Sequence, residues 1–214
     1  AREIPGLGTI CFHPSLLPIH RGPSSINWPI IWGAKKTGLT IFWPDDGLDE
    51  GDVLLQKEVE ITADDTLGSV YFNKIFPLGI EAILEAVELI KGGKAPRRRQ
   101  DDSLATYESW CRKENAEIDW QRSASEVYNL IRGCNPQPGA WTTFSDEVIQ
   151  IFDVELTEGN GRVGRVCAID SESLTVNAGL GGIKIKRLRL GKGPKVDAAA
   201  FIMEHGLKVG DRFG

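Results

Sequence analysis

Apolar and polar positions change texture along this chain of 214 residues. Gly8-Thr9-Ile10-Cys11-Phe12 is a short apolar run, which predicts a buried strand over 9–12. It stops at His13-Pro14, where a loop begins. Residues 14–25 hold three prolines, one glycine and three serines, so they predict irregular backbone. Ser24-Ser25 can cap a short helix running toward Gly33, with Pro29 delaying or bending it. Thr37–Trp43 and Val53–Ile61 read as second and third strands. Between them, 45–52 is an acidic turn containing Gly47 and Gly51. Asp64-Asp65-Thr66 then caps the strongest helical pattern, with apolar residues at Val70, Ile75, Leu78, Ile83, Val87 and Ile90. Pro77 predicts a kink, and Gly92-Gly93 a stop.

Residues 94–110 are poor in apolar side chains and carry Arg97-Arg98-Arg99 and Asp101-Asp102. They read as a linker with a solvated basic face. Beyond it, 124–132 predicts an amphipathic helix. Short strands are predicted at 148–156, 162–169, 174–178 and 183–190, with a last helical turn at 198–204. The expected organisation is an α/β domain over 1–93, a linker over 94–110, and a mostly β domain over 111–214.

Composition narrows the classes. Lys+Arg 25 against Asp+Glu 30 gives a net charge of −5, which argues against bulk nucleic-acid binding. No apolar run reaches the ~18 residues of a membrane span, and no signal peptide opens the chain. Cys11, Cys111, Cys134 and Cys167 form no C-x-x-C pair, so free thiols in a reducing cytosol are expected, and no metal. The only Met is Met203, and the chain opens at Ala1 in core-like sequence. A removed front, or numbering that starts inside a longer protein, is the expectation.

If the first two strands are parallel, the helix between them makes a right-handed crossover, and both strands end on one rim of the sheet. His13 follows the first strand, and Asp49 lies in the loop after the second. One imidazole and one carboxylate would then share the edge where open α/β sheets bind ligands. Such a pair can deliver and recover a proton near neutral pH. A lone histidine is also an ordinary satisfied residue, and both readings stand on this pattern. The acids of 45–52 do not fit a calcium loop, because Gly47 breaks the alternation that ligation needs. Gly47 and Gly51 are expected to let backbone approach a flat ligand.

His13-Pro14-Ser15-Leu16-Leu17-Pro18 followed by His20-Arg21-Gly22 resembles the H-x-S-L-L-P-x-x-R-G signature of the 10-formyltetrahydrofolate-dependent formyltransferases. Asp45-Asp46-Gly47-Leu48-Asp49-Glu50-Gly51-Asp52 resembles that family's second active-site loop. Ile26-Asn27-Trp28 and Ile41-Phe42-Trp43 fall between them in the family's order. Ile118-Asp119-Trp120, Asn135-Pro136 and Pro138-Gly139-Ala140-Trp141-Thr142 resemble the start of its C-terminal barrel. The resemblance implies an α/β Rossmann-like formyltransferase domain, its C-terminal half present here, followed by a small OB-like β-barrel. It implies 10-formyltetrahydrofolate as co-substrate, with no metal. It makes His13 and Asp49 catalytic and places Ser15, Leu16, Leu17, Pro18, Gly47 and Asp49 beside the folate. Cys11 stands where the family usually has an asparagine that polarises the formyl oxygen; a thiol is a weaker donor. The wording of both motifs is most similar to the hydrolase-like domain of 10-formyltetrahydrofolate dehydrogenases.

The acceptor stays open between water, a small amine, a sugar-nucleotide amine and initiator tRNA. Residues 107–214 carry 14 Lys+Arg against 15 Asp+Glu, which does not favour RNA. Lys184, Lys186, Arg187, Arg189, Lys192 and Lys195 nonetheless form a local basic stripe. Lys184 and Lys186 are expected on one strand face, with Ile183 and Ile185 on the other. A non-catalytic folate-binding or interaction module is the reading from another class.

Overall fold

The structure is a computed structural model and describes Gly6 and residues 8–214. The chain forms two compact units, one holding residues through 30 together with 34–110, the other 31–33 together with 111–214. Among the described residues, no helix is long and apolar enough to cross a membrane.

In the first unit, β1 (Cys11–His13), β2 (Lys36–Phe42) and β3 (Val53–Glu60) form a three-stranded sheet in chain order. Every pairing is antiparallel: Cys11 lies opposite Phe42, and His13 opposite Thr40. The parallel crossover expected from the sequence is therefore wrong. The connection over 14–35 is long enough for a parallel crossover, so its length does not fix the strand direction. It contains α1 (Asn27–Ile31), a helix of five residues. An apolar run shows that a strand is buried and carries no information about its direction. Leu39, Ile41 and Leu54 are buried at its centre.

A helical segment packs on this sheet. It begins with α2 (Leu67–Ser69), capped by Thr66 in a reciprocal box with Ser69. It passes through a π-helical stretch over Val70–Ile75 and continues as α3 (Phe76–Lys91). Pro77 sits in the first turn of α3 rather than in the middle of the helix. The irregularity lies just ahead of it, in the π stretch. The buried face of α3 also differs from the expected stripe. It is made of Gly79, Ala82 and Ala86, while Ile83 is exposed. Small residues let the helix come close: a Cβ on Gly79 would stand 2.9 Å from the Phe12 ring.

Residues 94–110, expected as a linker, belong to the first unit. Arg98 and Val53 exchange backbone hydrogen bonds of 2.8 and 3.0 Å. Arg21 and Tyr107 form a parallel bridge. Backbone pairing and polar side chains hold this segment, and neither leaves a mark on hydrophobic periodicity.

The second unit opens with α4 (Ala124–Gly133), whose N-terminus is closed by a Ser123–Glu126 capping box. The strands β4 (Trp141–Phe144), β5 (Glu147–Thr157), β6 (Val166–Ile169), β7 (Leu174–Asn177) and β8 (Gly182–Leu190) follow. They pair antiparallel in the order β4-β5-β8-β7-β6, and β9 (Val196–Asp197) adds to β8. The helix α5 (Ala198–His205) ends in the left-handed Gly206. Ile131 of α4 and Ile149, Ile151, Leu174, Ile183 and Ile185 of the strands are fully buried in one core. As the alternation predicts, Lys184 and Lys186 point away from the core that takes Ile183 and Ile185.

Candidate active site

The strand β1 ends on His13, which is 6% exposed. Cys11 precedes it by two residues and so shares its face of the strand. The His13 Nε2 lies 2.8 Å from the backbone oxygen of His20. A carbonyl can only accept, so Nε2 carries the hydrogen and donates. The His13 Nδ1 lies 3.5 Å from Oδ2 of Asp49. Both ring nitrogens thus face oxygen acceptors, the hydrogen-bonding complement of an imidazolium. The two contacts differ in quality. At 2.8 Å the Nε2 bond is well made; at 3.5 Å the Nδ1 contact is an ion-pair distance and too long for a good hydrogen bond.

Antiparallel strands do not bring Asp49 to His13 by a shared rim. The 43–52 loop does it by folding back between β2 and β3. The Trp43 N–H donates to the Asp52 oxygen at 2.8 Å, closing the loop at its base. Asp49 takes a left-handed conformation (φ 58°), which aims its carboxylate inward. Its Oδ2 accepts the Gly22 N–H at 2.8 Å. Gly51 lets the loop pass directly over the Trp43 backbone. A Cβ on Gly51 would fall 1.8 Å from the Trp43 oxygen, and one on Gly47 would fall 2.2 Å from the Glu50 carboxylate.

The segment between His13 and Arg21 is a folded turn with its own bonds. The Ser15 hydroxyl is buried and donates to the Ile19 oxygen at 2.7 Å. The Leu17 N–H donates to Thr40 Oγ1 at 3.1 Å, and Gln56 Nε2 donates to the Leu17 oxygen at 2.8 Å. Ser15 and Leu17 are therefore used in shaping the turn. Leu16 and Pro18 are half-buried, and Ile19 and Leu48 are exposed apolar side chains. The group is a buried histidine beside a half-buried carboxylate, with apolar side chains close by in sequence.

Residues 3–87 match the family model described as formyl transferase, and 111–206 match the formyl transferase C-terminal domain. Methionyl-tRNA formyltransferase of Syntrophus aciditrophicus (strain SB) is 36% identical over 214 residues, 99% of this chain and 68% of that protein. The chain belongs to the formyl transferase family. Cytosolic 10-formyltetrahydrofolate dehydrogenase of Homo sapiens is 50% identical over 152 residues, 71% of this chain. The chain spans 17% of the length of that dehydrogenase. HypX from Aquifex aeolicus in complex with tetrahydrofolic acid shares the fold, with a TM-score of 0.75 at 23% identity, over 94% of this chain and 36% of that one.

The pair His13–Asp49, whose members lie 3.5 Å apart, was named by the two motifs. The residues that surround it were not. Arg21 is 1% exposed and donates to Gln100 Oε1 from Nε at 3.1 Å and from a terminal nitrogen at 2.9 Å. It also donates to Asp102 at 2.8 Å and to the Tyr107 hydroxyl. Burial alone lowers the pKa of such a guanidinium, but the bonds to Asp102 and Tyr107 outweigh it and keep the group charged. Gln100 Nε2 donates to the backbone oxygens of Asp49 (2.8 Å) and Gly51 (2.7 Å). Glu108 lies 3.2 Å from His20 Nδ1. The one signal available was the Arg21 of the motif itself; nothing in the sequence pairs it with a glutamine 79 positions on.

The basic stripe of β8 is largely matched by local partners. Lys184 pairs with Asp170 at 3.1 Å, Lys186 with Glu155, and Arg187 with Asp153 and Asp197 at 4.0 and 3.9 Å. Arg189 donates to Gln150, and Lys195 lies 3.6 Å over the Phe152 ring.

Proposed function

We propose that this chain carries the acid–base pair of an enzyme that removes the formyl group from 10-formyltetrahydrofolate and passes it to water or an amine. The observation that carries this reading is the buried His13, held at Nε2 by a backbone oxygen and facing Asp49 at Nδ1. The loosely held Nδ1 edge is where a reacting group can compete for the proton. Water or an amine adds to the formyl carbon, giving a tetrahedral intermediate. His13 gives its proton to N10 of the folate as the C–N10 bond breaks, and Asp49 takes the proton lost by the nucleophile. With water, the products are tetrahydrofolate and formate. Cys11 can donate only weakly to the formyl oxygen, so the charge developing there falls mainly to protonated His13.

In this reading the folate lies along Leu16, Pro18 and Gly47 and against Asp49, with Ser15 and Leu17 holding the turn. The first unit is the C-terminal part of a Rossmann-like domain, and the second an OB-like barrel. Four cysteines with no disulfide among them fit work in a reducing cytosol. Water or a small amine is favoured over tRNA, because three cations of the basic stripe, Lys184, Lys186 and Arg187, already lie against Asp and Glu.

Product analysis tests the proposal. The protein incubated with 10-formyltetrahydrofolate alone is expected to release formate, and His13→Gln to lower that rate by ~100-fold or more while a bound folate analogue is still seen by calorimetry. Formyl loss only after an amine is added would name a transferase. Undiminished turnover in His13→Gln would remove the assignment.

A further inference from the structure

The catalytic pair assigned above is bracketed by one short stretch of backbone. The His20 oxygen accepts from His13 Nε2, and the Gly22 N–H donates to Asp49 Oδ2. With the 3.5 Å contact between His13 and Asp49, these bonds close a ring through residues 20–22. Arg21 is the middle residue of that bracket. Its side chain leaves the ring and is almost completely buried. Two of its nitrogens reach Gln100 Oε1, and the amide nitrogen of Gln100 returns to the backbone oxygen of Asp49. The same amide nitrogen also holds the Gly51 oxygen on the far side of Asp49.

A second ring is therefore laid over the first. The first sets the side chains of His13 and Asp49; the second ties the backbone of the bracket to the backbone of the Asp49 loop. Asp49 needs this. Its left-handed φ of 58° is an unfavourable conformation for a residue with a side chain, and persists only when its surroundings over-determine it. Gln100 supplies that constraint by fixing the carbonyl of Asp49 itself. Buried at 5% exposure, it uses both ends of its amide, oxygen toward Arg21 and nitrogen toward the loop.

We infer that Arg21 and Gln100 are positioning residues of the His13–Asp49 pair, acting by locking the Asp49 loop to the turn at 20–22. This rests on the catalytic reading given above. Neither residue needs to touch the folate. Their effect belongs in the turnover step, where an error of ~1 Å in a reacting group can cost on the order of 100-fold, and not in folate affinity.

Two variants of the protein separate the possibilities. Gln100→Leu removes both halves of the link. Gln100→Glu keeps an acceptor for Arg21 but turns an oxygen toward the Asp49 and Gly51 carbonyls, breaking only the loop half. For Gln100→Glu, kcat is expected to fall ~10- to 100-fold with KM for 10-formyltetrahydrofolate within ~3-fold. The NMR titration of the His13 ring is expected to move as Asp49 shifts, with the melting temperature held. An unchanged His13 titration and unchanged kcat in a folded Gln100→Glu protein would overturn the inference. So would loss of folding in Gln100→Glu, which would make the role purely structural. If the wild-type protein turns over no folate but its His13 titration still moves with Gln100→Glu, the catalytic reading fails and the positioning link stands.

Discussion

His13 shows how a residue's chemistry is set by what its two nitrogens meet. One is committed to the His20 oxygen, and the other is left loosely beside a carboxylate. Cys11, on the same strand face, adds little to this as a donor. Cys11→Ala is therefore expected to keep the formyl-release rate within ~3-fold of wild type; a loss of 100-fold would show that the thiol carries the oxyanion. Asp65 illustrates a different use of a carboxylate. In the sequence it reads as part of a helix cap, but the capping hydroxyl belongs to Thr66. Burial raises the Asp65 pKa, yet bonds from Lys74, Ser69 and Thr62 outweigh that and bring it from 3.8 down to about 2. A folded pKa below the unfolded one gives stability that is present above pH ~4 and lost as the pH falls toward ~2. Denaturant unfolding of Asp65→Asn should show a smaller loss of stability than wild type across that window. An identical slope would mean that these bonds do not act through the charge. His13 and Asp49 were named by the two motifs. Gln100 and Glu108 were not, and Arg21 was named without its partners, because a buried polar network is written in contacts between distant positions, and single-sequence patterns register only near ones.

At the scale of elements, the strand positions were readable and their directions were not. Thr37–Trp43 and Val53–Ile61 fall close to β2 and β3, since apolar runs bounded by turn residues mark a buried strand wherever it pairs. The antiparallel direction lies in the pairing of Cys11 with Phe42 and His13 with Thr40, which hydrophobic periodicity does not record. The π-to-α helical segment gives a second lesson. The pattern placed Val70 and Ile75 correctly in the core, but within α3 the buried positions are Gly79, Ala82 and Ala86, where close approach favours small side chains. Two substitutions weigh these readings. Ala82→Leu is expected to destabilise by ~1–3 kcal/mol through overpacking. Ile83→Ser, on the exposed side, should stay within ~0.5 kcal/mol. Melting or urea curves that reversed this order would restore the periodic stripe. The 94–110 segment was misread for a related reason: it is held by Arg98–Val53 backbone pairing and by Gln100, and burying few apolar side chains makes such a segment look like a tether.

At the scale of the whole molecule, net charge is the feature that bears most on what the protein handles. In a chain of −5, Asp170, Glu155, Asp153 and Asp197 offset three cations of the basic stripe, Lys184, Lys186 and Arg187. Binding of tRNA to the protein is expected to be weak even at low salt. A tight complex whose affinity fell steeply with salt would instead show several phosphate contacts and return the tRNA acceptor to the front. The family and the α/β-then-β layout were legible from motifs spread through the chain, since each motif is a local pattern. The account then stands or falls on whether Asp49 acts in the chemical step. Asp49→Asn keeps an oxygen for the Gly22 N–H and removes only the charge beside His13. In a single-turnover experiment with the protein saturated by 10-formyltetrahydrofolate, formyl cleavage by Asp49→Asn should be slower by ~100- to 10,000-fold with the folate still bound. Cleavage at the wild-type rate would contradict the account.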